Sequence, residues 1–418
     1  MASSSPVSRQ RTCKRIALYN YKGGVSKTTT ALNLAAALIS VGRKVAILDC
    51  DGQCNTTGFL VPDLQPEQMD MDETEDEDEG LDAPLAAQGA EPEILRDPVR
   101  PAQSPAEEIN LDALLQDRLE PNIFSLSYPY FEGRPINEEP ELMTVVGEQY
   151  GGQLLLLPGS SQIVKLDLEL GNLTFDDANA KRIFGFSEHL FTMLERFHKL
   201  DFIIVDCGPN SGPLNRQLVL SCDYMLPPVM ADKYCLSSVH GLLNHVLPNW
   251  FKWQRKLIAA QDAAHIRTDR DFALYAFKRT APLILPFLVC NYKMSSGPRK
   301  VRMLTVHSAK YVRALNRVVT GYLQEFAIPR DINDLRRFVA NRLRANRGVN
   351  VIAFMKTDVI SLLQISQELS RPAFLLTVAD IAAQTKPESR DRVSKERALV
   401  YFHSRMESLR DWIIWLPL

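Results

Sequence analysis

The sequence predicts an α/β fold, a doubly wound and mainly parallel sheet flanked by helices, on three observations. Short apolar runs at residues 16–19, 44–49 and 202–205 have the length and β-rich composition of strands buried on both faces. The first run passes through a glycine-containing turn into residues 29–41, where Leu32, Ala35, Ala36, Leu38 and Ile39 recur at helical spacing. Acidic residues close the other two runs, Asp49 with Asp51 after one and Asp206 after the other, at the strand ends where open α/β sheets bind their ligands.

The first strand–turn–helix sets the chemistry. A helix N-terminus presents unpaired N–H groups and a partial positive charge, and so attracts phosphate. Gly23 and Gly24 let the backbone approach an anion, Lys27 adds a point charge, and the Thr28 hydroxyl is a ligand type that Mg2+ accepts. The turn departs from the common pattern GxxxxGK[ST] in two places, with Tyr21 at the first glycine and Ser26 at the glycine before Lys27. Gly42 ends the helix, and the second strand runs into residues 49–57, DCDGQCNTT. Carboxylates beside a phosphate loop can orient Mg2+ or an attacking water.

Composition then changes. Residues 62–95 carry thirteen Asp/Glu and no Lys or Arg, which predicts a disordered acidic insertion, with partial order reaching to about residue 150 and one short helix near 109–115. Residues 153–157 form a third apolar strand, 162–171 carry Leu166, Leu168 and Leu170, and 187–198 read as a helix before the strand that ends at Asp206. Further strands are expected at 224–229 and 285–292, with a helical stretch at 244–280 whose Trp250 and Trp253 belong to the core. The last helix, 390–416, has Leu399, Phe402, Met406, Leu409, Ile413 and Leu416 spaced three and four apart and is expected to dock on the sheet, with Trp412, Ile414 and Trp415 turned outward.

Net charge is only −2, so partners are better sought in its distribution. Residues 293–347 hold thirteen Lys/Arg against three Asp/Glu, a basic concentration that attracts phosphate backbones. No base-reading motif accompanies it. The seven cysteines form no CxxC pair, which suits a reducing cytosol and counts against iron–sulfur ligation. Neither a secretory leader nor a run of 18 apolar residues is present, so cytoplasmic residence is expected and membrane association is not.

Residues 22–29, KGGVSKTT, resemble the deviant Walker A motif KGGxGKT[ST] of the ParA/MinD family of P-loop ATPases. The resemblance extends to residues 49–57 against the family's DxDPQGN switch, to the strand ending at Asp206, to the segment after residue 224 and to 328–332, IPRDI. It implies ATP and Mg2+ as cofactors, with Gly23, Gly24, Val25, Ser26, Lys27, Thr28 and Thr29 cradling the phosphates and Asn291 at the base. Thr28, Asp51 and Asp206 become metal-site residues, Asp51 the residue that orients water, and Lys22 a lysine that reaches across a dimer interface to the partner's ATP. Homodimerisation on ATP binding, non-specific DNA binding and a partner or cargo protein are implied as well. Arg336, Arg337, Arg342, Arg344 and Arg347 are the candidate DNA contacts.

The expected organisation is a flexible N-terminus (1–13), an ATPase domain (14–61 and 151–350), the acidic insertion (62–150) and a C-terminal part completing the domain (351–418). The expected function is an ATPase that positions or segregates a cargo, with slow hydrolysis because Ser26 replaces a glycine. Two alternatives stand beside it: a MinD-like membrane-associated regulator, and a slow nucleotide-sensing scaffold of a plasmid-maintenance or phage-defence system.

Overall fold

The computed structural model describes residues 13–62, 119–134, 140–175, 178–266, 276–285, 287–290, 294–296, 302–304, 306–325, 351–355, 360–385, 390–414 and 416. All of them fall in one compact unit, Met1–Pro62 with Asp117–Leu418. In chain order the elements used below are β1 (Lys14–Leu18), α1 (Lys27–Ile39), β2 (Lys44–Cys50), α2 (Asn55–Leu60), α3 (Ile123–Phe131), β3 (Met143–Val146), β4 (Gln153–Leu157), α4 (Ile163–Asn172), α5 (Phe186–His198) and β5 (Phe202–Cys207). They continue as α6 (Pro213–Leu220), β6 (Tyr224–Leu226), β7 (Pro228–Met230), α7 (Lys233–Gly241), α8 (Leu247–Ala263), β8 (Leu283–Ile284), β9 (Phe287–Cys290), β10 (Met294–Ser296), β11 (Arg302–Leu304), α9 (Val306–Glu325), β12 (Val351–Met355) and α10 (Arg390–Ile414).

Seven strands form the main sheet in the order β3-β4-β2-β5-β1-β6-β8. Every pairing is parallel except β3 with β4. This is the expected mainly parallel sheet with helices on its faces. β1 and β2 flank β5, so the phosphate turn and the two acidic strand ends converge at one edge of the sheet. Where the sequence reads a single strand at 224–229 the structure has two, β6 and β7; within the strand read at 285–292 it has β9, preceded by the short β8; and β7 and β9 belong to a second parallel sheet, β12-β9-β7. Pro227 and Pro228 lack N–H groups and interrupt the ladder there. Bonds from Leu285 N to Met225 O and from Leu288 N to Pro227 O carry the chain across the break.

Each face of the main sheet has its own apolar layer. On one, α1 and α10 cover Ile16, Leu18, Val45, Ile47 and Ile204. α1 is apolar nearly all round, and its Ala35, Ala36 and Ala37 are completely buried, as a helix between a sheet and a second helix must be. Buried Asn33 is satisfied inside this layer, donating to Thr29 O at 2.8 Å and accepting from Phe374 N at 2.8 Å. On the other face Leu166, Phe186, Leu190, Phe191, Leu218 and Trp250 pack beneath β1, β2 and β5.

Two expectations change. Trp412, read as outward-facing, is 1% exposed: it falls on the buried stripe of α10 together with Leu409 and Ile413 and fills the gap over α1. The stretch 119–150, given partial order, contributes α3 and β3 to the domain. Asn122 caps α3 through a capping box with Ser125, Ile123 N donates to Pro158 O, and buried Tyr130 bonds His189 of α5 at 2.8 Å. Much of the acidic insertion, including 109–115, lies outside the described residues.

Candidate nucleotide site

The phosphate turn is held from below by its own side chains. Tyr19, at the end of β1, is buried against Trp250 with ring centroids 5.0 Å apart and donates its hydroxyl to Asn210 O at 2.9 Å. Asn20 is fully buried: its amide donates to Pro228 O at 3.0 Å, while its carbonyl accepts from Lys22 N and Ser238 Oγ. The turn then swings outward. Gly23 and Gly24 are exposed, Gly24 has φ +68° where glycine is the residue without steric cost, and Val25 is buried as the anchor of the returning chain.

Ser26 precedes α1 with φ 67° and ψ 35°, left-handed backbone, and its side chain makes no capping bond. The resemblance places a glycine at this position, and the conformation found is one that glycine adopts freely. Ser26 therefore carries backbone strain of about 1 kcal/mol. The switch segment repeats the feature: Cys54, also at a family glycine, opens α2 with φ 52° and ψ 33°.

Lys27 is the first residue of α1 and is buried, its amine donating to Lys22 O at 3.2 Å. Burial lowers its pKa, opposed by the nearby carboxylates of Asp206 and Asp51. Lys22, by contrast, is part-exposed and paired with Asp232, its Nζ 3.1 Å from Oδ1 and 3.0 Å from Oδ2.

The acidic strand ends lie beside Lys27. Asp49 and Asp206 are register partners on β2 and β5, and both are buried. Asp49 Oδ2 accepts from Thr57 N at 2.8 Å and Thr57 Oγ1 at 2.7 Å, and Thr57 Oγ1 in turn accepts from Gly159 N at 2.8 Å. Burial pushes the Asp49 carboxyl up to about 7, with the neighbouring Asp206 charge adding to the rise. Asp206 Oδ2 accepts from Thr56 Oγ1 at 2.8 Å, and the Thr28 hydroxyl lies close enough to favour the ionised carboxylate. Burial raises Asp206 to about 6, against the lowering effect of Thr28, Thr56 and Lys27. Asp206 Oδ1 is buried with no hydrogen-bond partner.

Asp51 stands half-buried at the start of the switch turn, its Oδ1 accepting from Gln53 N at 3.1 Å. A Cβ on Gly208 would come 3.5 Å from that same oxygen, so Asp51 faces the turn after β5. Gln53 and Asn55 are exposed and bonded to each other at 3.1 Å.

The structure thus brings Lys27, Thr28, Asp51 and Asp206 together, with Gly23, Gly24, Val25 and Ser26 forming the turn before them and Thr29 in the first turn of α1. Lys22 lies at the rim. Asn291 and Arg336, Arg337, Arg342, Arg344 and Arg347 lie outside the described residues. Sequence reasoning missed the parts played by Asp49, Thr56 and Asp232. The first two sit in the switch segment and were within reach of the pattern; Asp232, 210 residues from Lys22, gave no local signal.

The site residues fit Mg2+. A cation held beside nucleotide phosphates needs one or two protein oxygens, and here a threonine hydroxyl and a buried carboxylate oxygen that lacks a donor stand together at the helix start.

Comparison with known proteins shows the family. A family profile described as an AAA domain matches residues 13–250, more than half of the chain. The sporulation initiation inhibitor protein Soj of Bacillus subtilis is 26% identical over 233 residues, 56% of this chain and 64% of that protein. The chromosome partitioning protein ParA of Myxococcus xanthus is 24% identical over 231 residues, 55% of this chain and 57% of that protein. The chain thus spans less than two thirds of the length of either relative. Among solved structures, the ATP complex of Cyanothece McdA superposes with a TM-score of 0.50 at 12% identity, covering 98% of this chain and 99% of that one, a likeness of fold. With the matched profile spanning the phosphate turn, the switch and the strand that ends at Asp206, the chain belongs to the ParA/MinD-type P-loop ATPases.

Proposed function

We propose that this chain is an ATP-hydrolysing switch: ATP with Mg2+ brings two copies together, the dimer engages DNA without sequence preference or a cargo through a partner protein, and hydrolysis resets it. The observation that carries the reading is the meeting of the α1 start with the end of β5, where buried Lys27 and half-buried Thr28 stand beside the buried Asp206 carboxylate, one oxygen of which lacks a donor. Lys27 and the α1 N–H groups bind the β- and γ-phosphates. Thr28 and Asp206 would hold the metal, which when bound would supply neutralisation of the charge on the transferred phosphoryl group. Asp51, at the mouth of the turn, orients the attacking water, and Lys22 reaches the phosphates from the rim.

The DNA element of the proposal rests on charge. Lys310, Arg313 and Arg317 form an exposed row on α9, inside the basic segment 293–347, and the five arginines at 336–347 continue it in sequence. A phosphate-binding surface of this kind loses affinity steeply with salt. The buried stripe of α10, Trp412 included, supports its reading as a docked core helix rather than a membrane anchor. No helix among the described residues is long and apolar enough to cross a membrane.

Size-exclusion chromatography with and without ATP and Mg2+ tests the switch. Wild type is expected to shift from monomer to dimer; Lys27→Ala is expected to bind no nucleotide, and Lys22→Ala to bind it without dimerising. Dimers that form equally well without nucleotide would refute the reading. Binding to unrelated duplexes at increasing salt tests the DNA element, and salt-independent binding would refute it.

A further inference from the structure

Two lysines five residues apart in one turn have different partners. Lys27 is buried and faces the strand-end carboxylates, whereas the Lys22 ammonium lies between both oxygens of Asp232, at 3.1 and 3.0 Å. Asp232 is itself fixed: it is the N-cap of α7, and its Oδ1 accepts from Cys235 N at 2.7 Å. The chain around Lys22 is docked on the same helix. Asn20 accepts from Ser238 Oγ at 3.1 Å and ties Lys22 N at 3.0 Å, and the Tyr21 hydroxyl sits so close to Gly241 that a Cβ there would come within 2.5 Å of it. Residues 20–22 are therefore attached to α7 at its start, middle and end.

The ion pair is closed but accessible. The side chains of Lys22 and Asp232 are 23% and 30% exposed, so a competing anion can reach the ammonium without unfolding anything. A cation can satisfy Asp232 or a phosphate fully, but not both at full strength, because the carboxylate repels the phosphate that approaches its partner.

We propose that Asp232 is a positioning residue, a counter-ion within the same chain that parks Lys22 at the rim until nucleotide phosphates displace it. This rests on the reading of Lys22 as a phosphate ligand. Asp232 then sets the ATP concentration at which Lys22 is released, and α7, capped by the same carboxylate, senses the exchange.

The test uses the full chain as wild type, Asp232→Asn and Asp232→Ser. Both replacements keep an N-cap acceptor for Cys235 N, so α7 keeps its start. Without nucleotide, acylation of Lys22 by an amine-reactive ester, followed by peptide mass spectrometry against exposed Lys256 as reference, is expected to be several-fold faster in both variants. In an ATP titration followed by sizing, both are expected to reach half-dimer at about two- to fivefold lower ATP than wild type, the range that a part-exposed ion pair can account for. Unchanged Lys22 labelling, or variants needing as much ATP as wild type or more, would overturn the proposal. A wild type that binds ATP but stays monomeric refutes the dimerisation reading alone, and the labelling rates then still decide whether Asp232 holds Lys22.

Discussion

At the scale of the residue, the nucleotide site is built from groups held in costly states. Ser26 and Cys54 adopt left-handed backbone at the starts of α1 and α2, where a side chain adds strain. Ser26→Gly is expected to raise stability by up to about 1 kcal/mol, the left-handed penalty less the greater unfolded-state freedom of glycine, read as a higher urea midpoint at unchanged slope. Asp49 and Asp206 are carboxyls raised by burial from an ordinary 3.8 to about 7 and about 6. The folded chain therefore binds more protons than the unfolded one between about pH 4 and pH 7. The stability these two groups contribute is complete below about pH 4 and is lost as pH rises through 6 and 7. Asp206→Asn, which removes one of the two charges, is expected to stabilise the nucleotide-free protein at pH 8 by an amount of the order of 1–2 kcal/mol, read as a higher Tm, and to flatten the pH dependence of stability. The same variant is expected to lose Mg2+-dependent ATP hydrolysis, measured as phosphate release. A variant that is both less stable at pH 8 and fully active would contradict the assignment.

At the scale of the element, α1 and α10 act as one layer. α1 supplies the phosphate-binding N-terminus, and its small, buried side chains bring it close to the sheet and to α10. α10 is tied to β1 as well, since Lys14 Nζ donates to Ile414 O at 2.5 Å, satisfying a carbonyl at the helix end where a cation is favoured. Trp412→Ala removes the largest fully buried side chain of this layer and is expected to cost about 3–5 kcal/mol in urea unfolding. The loss should appear without nucleotide, since Trp412 lies among the apolar contacts of the sheet's α1 face rather than in the phosphate turn.

At the scale of the whole molecule, the main sheet is assembled from chain on both sides of a long interruption in sequence. The switch helix α2 ends at Leu60, and the described chain resumes at residue 119 with α3 packed beside the strand end at Pro158. Replacing residues 63–116 with a Gly/Ser linker of about 20 residues, long enough as a flexible coil to span a small domain, is expected to leave the far-UV spectrum and Tm of the ATPase domain within a few degrees of wild type. Collapse of the fold on that replacement would show that the acidic stretch is part of the core. The alternation of apolar runs with helical periods, and the Gly23–Thr28 and Asp49–Thr57 segments, made the fold class and the phosphate site legible in sequence, because strand burial, helix period and anion binding at a helix start are local properties of consecutive residues. What the sequence could not determine depends on residues far apart in the chain: that Asp49 and Asp206 are register neighbours, that the strand read at 224–229 is divided between two sheets, that Trp412 turns inward, and that Lys22 is paired with Asp232. Those are consequences of which elements the packed core brings side by side, and only the tertiary structure decides them.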